Sequence, residues 1–228
     1  MSADIYFNWK QKLINTNYKR IQLRSCTDIN DDLEKDIDRT FPSNAWFTED
    51  RKNKIKNILL HYVIMNKGVS YCQGMCFIMF TLYHVFHVSD YAEIETLYCF
   101  HKLIEPIRPI YPLNQNDTKP IVFLDNLCKV ILLKIHKKNI LFAERLSELN
   151  IVQYFVISGL PALFANWYKL SDVIILWDRL IDSSAERTYD NIVDFLVDYF
   201  LSMKDIMNME MTDILTLLSK QRELKLYK

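Results

Sequence analysis

Glycine is almost missing from this chain: of 228 residues only Gly68, Gly74 and Gly159 are glycines, too few for the tight turns of an all-β fold. No Asn-Gly or Asp-Gly pair stands between alternating apolar residues, so hairpins have no sequence signal. An excess of charge of one sign is missing too. The 28 basic and 28 acidic side chains cancel, which excludes the basic footprint of a nucleic-acid binder. No apolar run reaches the roughly 18 residues of a membrane span. The most apolar stretch, Met75 to Val88, is interrupted by Thr81, His84 and His87 and reads as a core helix. The first residues lack a basic start followed by an apolar run and a small-residue cleavage site, so the expected location is cytoplasmic. A G-x-x-x-x-G-K-[ST] phosphate loop is absent, which argues against a nucleotide site of the chain's own. The cysteines, Cys26, Cys72, Cys76, Cys99 and Cys128, are odd in number and lack disulfide or zinc-ribbon spacing. They are expected as reduced, mostly buried thiols, and no metal or cofactor is expected.

What is present is helical periodicity in a chain that is 50% hydrophobic and long enough to bury a sizeable core. Ile55, Ile58, Leu59, Tyr62 and Val63 form one apolar stripe, with Lys52, Lys54, Lys56 and Asn57 opposite. That helix is expected to end near Asn66-Lys67-Gly68, with Gly68 in the left-handed position past its end. A second helix should start close to Tyr71 or Gln73 and run through Phe86. Asp90-x-x-Glu93 and Ser183-x-x-Glu186 read as capping boxes opening helices over 91–104 and 185–202. Further helical segments are expected over 121–137, 142–149, 151–164, 171–180 and 213–227. Between Ile107 and Pro120, Pro109, Pro112 and Pro120 forbid one continuous helix. The expected architecture is therefore all-α, an N-terminal helical half over about 9–108 and a C-terminal half over about 120–228.

Two short segments carry the chemistry: Leu33-Glu-Lys-Asp36-Ile-Asp-Arg39-Thr-Phe-Pro42, and Val69-Ser-Tyr71-Cys-Gln73-Gly74-Met75. If the first ends a helix, Asp36 and Arg39 share a face, and Thr40-Phe41-Pro42 stops the helix and projects Arg39 outward. Gln73 falls where a polar stretch enters the apolar helix, and Gly74 would let a partner's backbone approach closely. Taken singly, Arg39 reads as an ordinary surface ion pair and Gln73 as a solvated helix-start residue. As a pair they are the two residue types that GTP hydrolysis needs beside the γ-phosphate and the attacking water. Other constellations read as structural. Cys72 and Cys76 are small buried residues rather than metal ligands or a nucleophile, and Trp177 is a core anchor with Asp178 structural or paired to Arg179.

These segments resemble the I-x-x-D-x-x-R and Y-x-Q signatures of the TBC domain family of Rab GTPase-activating proteins. Downstream, Arg145 to Tyr154 and Leu170-Ser-Asp-Val173-Ile-Ile-Leu-Trp177-Asp178 resemble the family's later core, so the resemblance covers roughly 9–205. It implies a TBC-like fold of two helical subdomains, Arg39 as an arginine finger and Gln73 as a glutamine finger. By the same resemblance Asp36 orients Arg39, and Tyr71 and Gly74 face the partner. That partner would be a Rab-family small GTPase holding the GTP and Mg²⁺, with recruitment to endomembranes through it. A non-catalytic binding module that uses the same surface is the alternative. Three departures stand out: no R-x-x-x-W motif surrounds Trp9, Gly159 occupies a position where the family has tryptophan, and Leu33 replaces isoleucine. The place vacated at Gly159 is expected to be a core gap or to be filled by Phe155 or Trp167.

Overall fold

The computed structural model describes residues 2–14, 31–66, 71–112 and 116–220, and no strand occurs among them. Gly68, Cys26 and the end of the helix expected over 213–227 lie outside the described residues. The first helices are α1 (Ser2–Leu13), α2 (Asp31–Arg39), α3 (Glu49–Met65), α4 (Met75–Phe86) and α5 (Ala92–Leu103). A 3-10 turn, Glu105–Ile110, carries Pro106 and Pro109 and packs against α5. It also lies against two later helices. The second half comprises α6 (Lys119–Lys138), α7 (Ile140–Glu148), α8 (Ile151–Gly159), α9 (Leu170–Leu180), α10 (Ala185–Ser202) and α11 (Met211–Lys220).

The stripe expected on α3 is buried as Ile55, Ile58, Leu59, Leu60 and Tyr62. α4 buries nearly every side chain, as an apolar helix surrounded by others must. It packs against α3, α5, α1, α2 and α9. The expected extents of the helices over 91–104 and 185–202 agree with α5 and α10 to within a residue. Their caps do not. The N-cap of α10 is Ser184, whose hydroxyl accepts from the Arg187 amide at 3.4 Å, because Asp182 binds the Ser184 amide at 3.1 Å and shifts the helix start by one residue. At α5, Ser89 rather than Asp90 takes the turn, accepting from the Tyr91 amide at 3.1 Å.

One continuous hydrophobic core runs from Tyr6 to Ile214. α1 is fastened into it by Trp9, fully buried with its ring 5.9 Å from that of Trp177. The Trp9 indole donates to Asp178 at 3.1 Å and Asn8 donates to the same oxygen at 2.7 Å. Asp178 therefore anchors α1 instead of pairing with Arg179. At Gly159 there is no gap: a Cβ there would stand 2.4 Å from the Trp167 ring and 2.7 Å from Phe164. Trp167 fills the place, with Phe155 edge-on to it at 5.9 Å.

Candidate functional site

α2 is a short helix with Leu33, Asp36, Ile37 and Thr40 turned inward and Glu34, Lys35, Asp38 and Arg39 outward. Its end is built by three neighbours in sequence. The Thr40 hydroxyl donates to the Asp36 carbonyl at 2.6 Å, Phe41 takes a left-handed conformation (φ 47°), and Pro42 follows. The unfavourable backbone at Phe41 is offset by packing: its ring stacks on Phe47 at 5.9 Å and meets Phe77 of α4 edge-on at 5.3 Å. The chain beyond Arg39 is thereby pinned to α4. Trp46 completes the pin, lying against His84 at 4.4 Å and His87 at 4.8 Å under the Arg51 guanidinium.

Asp36 is a buried carboxylate, and a buried charge needs partners. It has two. Arg39, one turn along and about half exposed, forms an ion pair with it, and the Tyr71 hydroxyl donates to its other oxygen. The first motif is thus bonded to the second. Tyr71 in turn lies 3.2 Å from the Cys76 sulfur. Burial first, then the neighbouring thiol and carboxylate, push the Tyr71 phenol well above its ordinary pKa, and burial pushes the Cys76 thiol up to about 12. Both keep their protons. Since the phenol proton goes to Asp36, the Cys76 S–H is directed at the phenol oxygen, and the relay runs Cys76 to Tyr71 to Asp36 with Arg39 closing it.

Gln73 is exposed in the turn that precedes α4, and its side chain has no hydrogen-bond partner among the described residues. Gly74 differs from expectation. It is buried at φ 109°, and the backbone that approaches it is the chain's own: a Cβ there would stand 2.9 Å from the carbonyl carbon and oxygen of Pro161. The glycine thus serves an internal close approach, not an approach by a partner.

Arg39, Asp36 and Tyr71 are bonded to one another, and Gln73 follows Tyr71 by two residues in the turn before α4. Cys76 and Pro161 also support these residues; the sequence read Cys76 only as a small buried residue and gave no sign of Pro161, because both contacts appear only in the fold. Cys72 is only half-buried, and burial raises its thiol pKa, which leaves it a weak nucleophile. Among the described residues no group of three His, Cys, Asp or Glu side chains suits a metal ion. No helix there is long and apolar enough to cross a membrane. A groove of about 590 Å³ between α9 and α10 is lined by Ile175, Leu176, Phe195 and Tyr199 among others, and by no residue of the two motif segments. Arg39 and Gln73 are each exposed, the guanidinium paired with Asp36 and the carboxamide without a hydrogen-bond partner among the described residues.

Comparison with known proteins places this chain in a family. The model of the Rab-GTPase-TBC domain matches residues 2–197. TBC1 domain family member 13 of Homo sapiens is 26% identical over 195 residues, 75% of this chain and 47% of that protein; its Mus musculus counterpart is 25% identical over the same shares. The chain spans about half the length of these relatives. A TBC domain-containing protein of Schizosaccharomyces pombe is 24% identical, with 31% of its length covered. Among solved structures, the Ypt/Rab-GAP domain of Gyp1p superposes with a TM-score of 0.66 at 15% identity, over 95% of this chain and 73% of that one. That likeness is one of fold. With the family model matching most of its length, the chain belongs to the Rab-GTPase-TBC domain family.

Proposed function

We propose that this protein accelerates GTP hydrolysis on a Rab-type small GTPase, which holds the nucleotide and Mg²⁺ itself. Arg39 neutralises the charge that develops on the phosphoryl oxygens, and Gln73 orients the attacking water with its carboxamide. Asp36 aims Arg39, and Tyr71 holds Asp36 while facing the partner beside the nucleotide. Two helical halves, about 9–108 and 120–228, frame the surface, the first carrying both finger segments. The protein acts in the cytoplasm, drawn to endomembranes by its partner. The observation that carries this reading is the buried Asp36, bonded both to Arg39 of the first motif and to Tyr71 of the second, two residues before an exposed Gln73 that has no hydrogen-bond partner among the described residues.

The test is phosphate release from a panel of GTP-loaded Rab proteins, with and without this protein. Acceleration of at least one Rab, removed by Arg39→Ala, is the expected result. Binding to a GTP-loaded Rab with no acceleration of any would replace the reading with that of a non-catalytic module.

A further inference from the structure

We propose that Tyr111 is a positioning residue for Gln73, acting through the carbonyl of Pro161. This rests on the reading of Gln73 given above and deepens it. The turn that carries Gln73 is closed by the Met75 amide on the Cys72 carbonyl at 3.1 Å. Its underside is Gly74, whose backbone lies so close to Pro161 that even a methyl group would collide with the Pro161 carbonyl. The height and tilt of the Gln73 turn are therefore set by where that carbonyl sits.

Pro161 belongs to a 3-10 turn, Leu160–Ala162, that is held from several sides. The buried Tyr111 hydroxyl donates to the Pro161 carbonyl at 2.9 Å. Burial above all, and the nearby Cys72 next, raise the Tyr111 phenol far above its ordinary pKa, so it remains a donor at every physiological pH. Directly after the turn, Leu163 and Phe164 are both left-handed, with φ 45° and 63°, a conformation that non-glycine residues adopt only when their surroundings enforce it. The Trp177 indole enforces it by donating to the Leu163 carbonyl at 2.9 Å, and the Phe164 amide donates to the Gly159 carbonyl at 2.8 Å. Trp177 and Gly159 thus fix the far end of the turn, and Tyr111 fixes the end beneath Gln73.

A carboxamide that must hold one water in line tolerates little displacement, since a misplacement of about 1 Å costs up to roughly 10²-fold in rate. Tyr111→Phe keeps the ring and removes only the bond to Pro161. On the most responsive Rab of the panel, Tyr111→Phe should lower kcat about tenfold with KM unchanged. In a Gln73→Ala background it should change kcat by less than about twofold, because the group it positions is already gone. Without any GTPase present, amide exchange across residues 71–77 should quicken in Tyr111→Phe while peptides from α3 exchange as before. Gly74→Ala, which displaces the same turn by colliding with the Pro161 carbonyl, should show the same dependence on Gln73. Wild-type turnover that Arg39→Ala removes leaves the finger reading standing, so a Tyr111→Phe protein at wild-type kcat overturns the role of Tyr111 alone. An equal loss in both backgrounds, or unchanged exchange across 71–77, overturns it as well.

Discussion

Asp36 decides what Arg39 can do. Its carboxylate is buried with two partners, and one of them is the guanidinium that the proposed chemistry needs. Arg39→Ala should lower Rab activation by roughly 10³-fold or more, with circular dichroism unchanged because the side chain is half exposed and Asp36 keeps Tyr71. Arg39→Lys should be nearly as inactive, since an ammonium lacks the planar fork of donors that spans two phosphoryl oxygens. Wild-type turnover in either variant would remove Arg39 from the mechanism. Gly159 makes a prediction about stability. Its Cβ position is already taken by Trp167 and Phe164, so Gly159→Ala should destabilise by roughly 1–3 kcal/mol in chemical denaturation, and an unchanged midpoint would show that Trp167 moves aside freely. Much of the candidate site was legible as a proposal because its residues sit in two contiguous motifs. The Cys76 and Pro161 contacts were not, because one is a thiol that reads as ordinary core and the other lies far along the chain. Gly74 was misread for a related reason. A glycine signals close approach, but sequence does not say which backbone approaches.

At the scale of elements, periodicity located the helices well wherever an apolar stripe faced the core, as in α3, α9 and α10. It failed at their ends, where competing side chains such as Asp182 and Ser89 decide which residue caps. It also overran α8, which stops at Gly159 because Pro161 follows and the chain tightens into the 3-10 turn. In the connection between α2 and α3 only the stop at Thr40-Phe41-Pro42 was legible; the packing of Phe41 and Trp46 that pins the chain beyond Arg39 to α4 was not. Trp46 packs there on His84, whose pKa is lowered to about 4, by burial first and then by His87 and Arg51. A histidine buried neutral stabilises the fold above its unfolded pKa of about 6.5, and that stability is lost as pH falls toward the folded value. The melting temperature should therefore drop from pH 6.5 to pH 4, and His84→Gln should flatten the drop. An equally steep pH dependence in His84→Gln would assign it to other groups.

Over the whole molecule, one core joins α1 to α9 through Trp9, Trp177 and Asp178. Trp9→Ala should destabilise the entire chain by about 3–5 kcal/mol, reading as one cooperative transition shifted to lower denaturant; a separate early transition confined to α1 would contradict the single core. The same core fixes α2, α4 and the Leu160–Ala162 turn relative to each other, which is what lets residues distant in sequence serve one surface. The surface proposed for Arg39 and Gln73 should fit the transition state of GTP hydrolysis better than the ground state. Calorimetry of this protein with the responsive Rab loaded with GDP, with and without aluminium fluoride, tests it most directly. Fluoride, by mimicking the transferring phosphoryl group, should raise the affinity of the wild-type protein, and Arg39→Ala should lose most of the gain. Equal affinity with and without fluoride, or a full gain in Arg39→Ala, would contradict it.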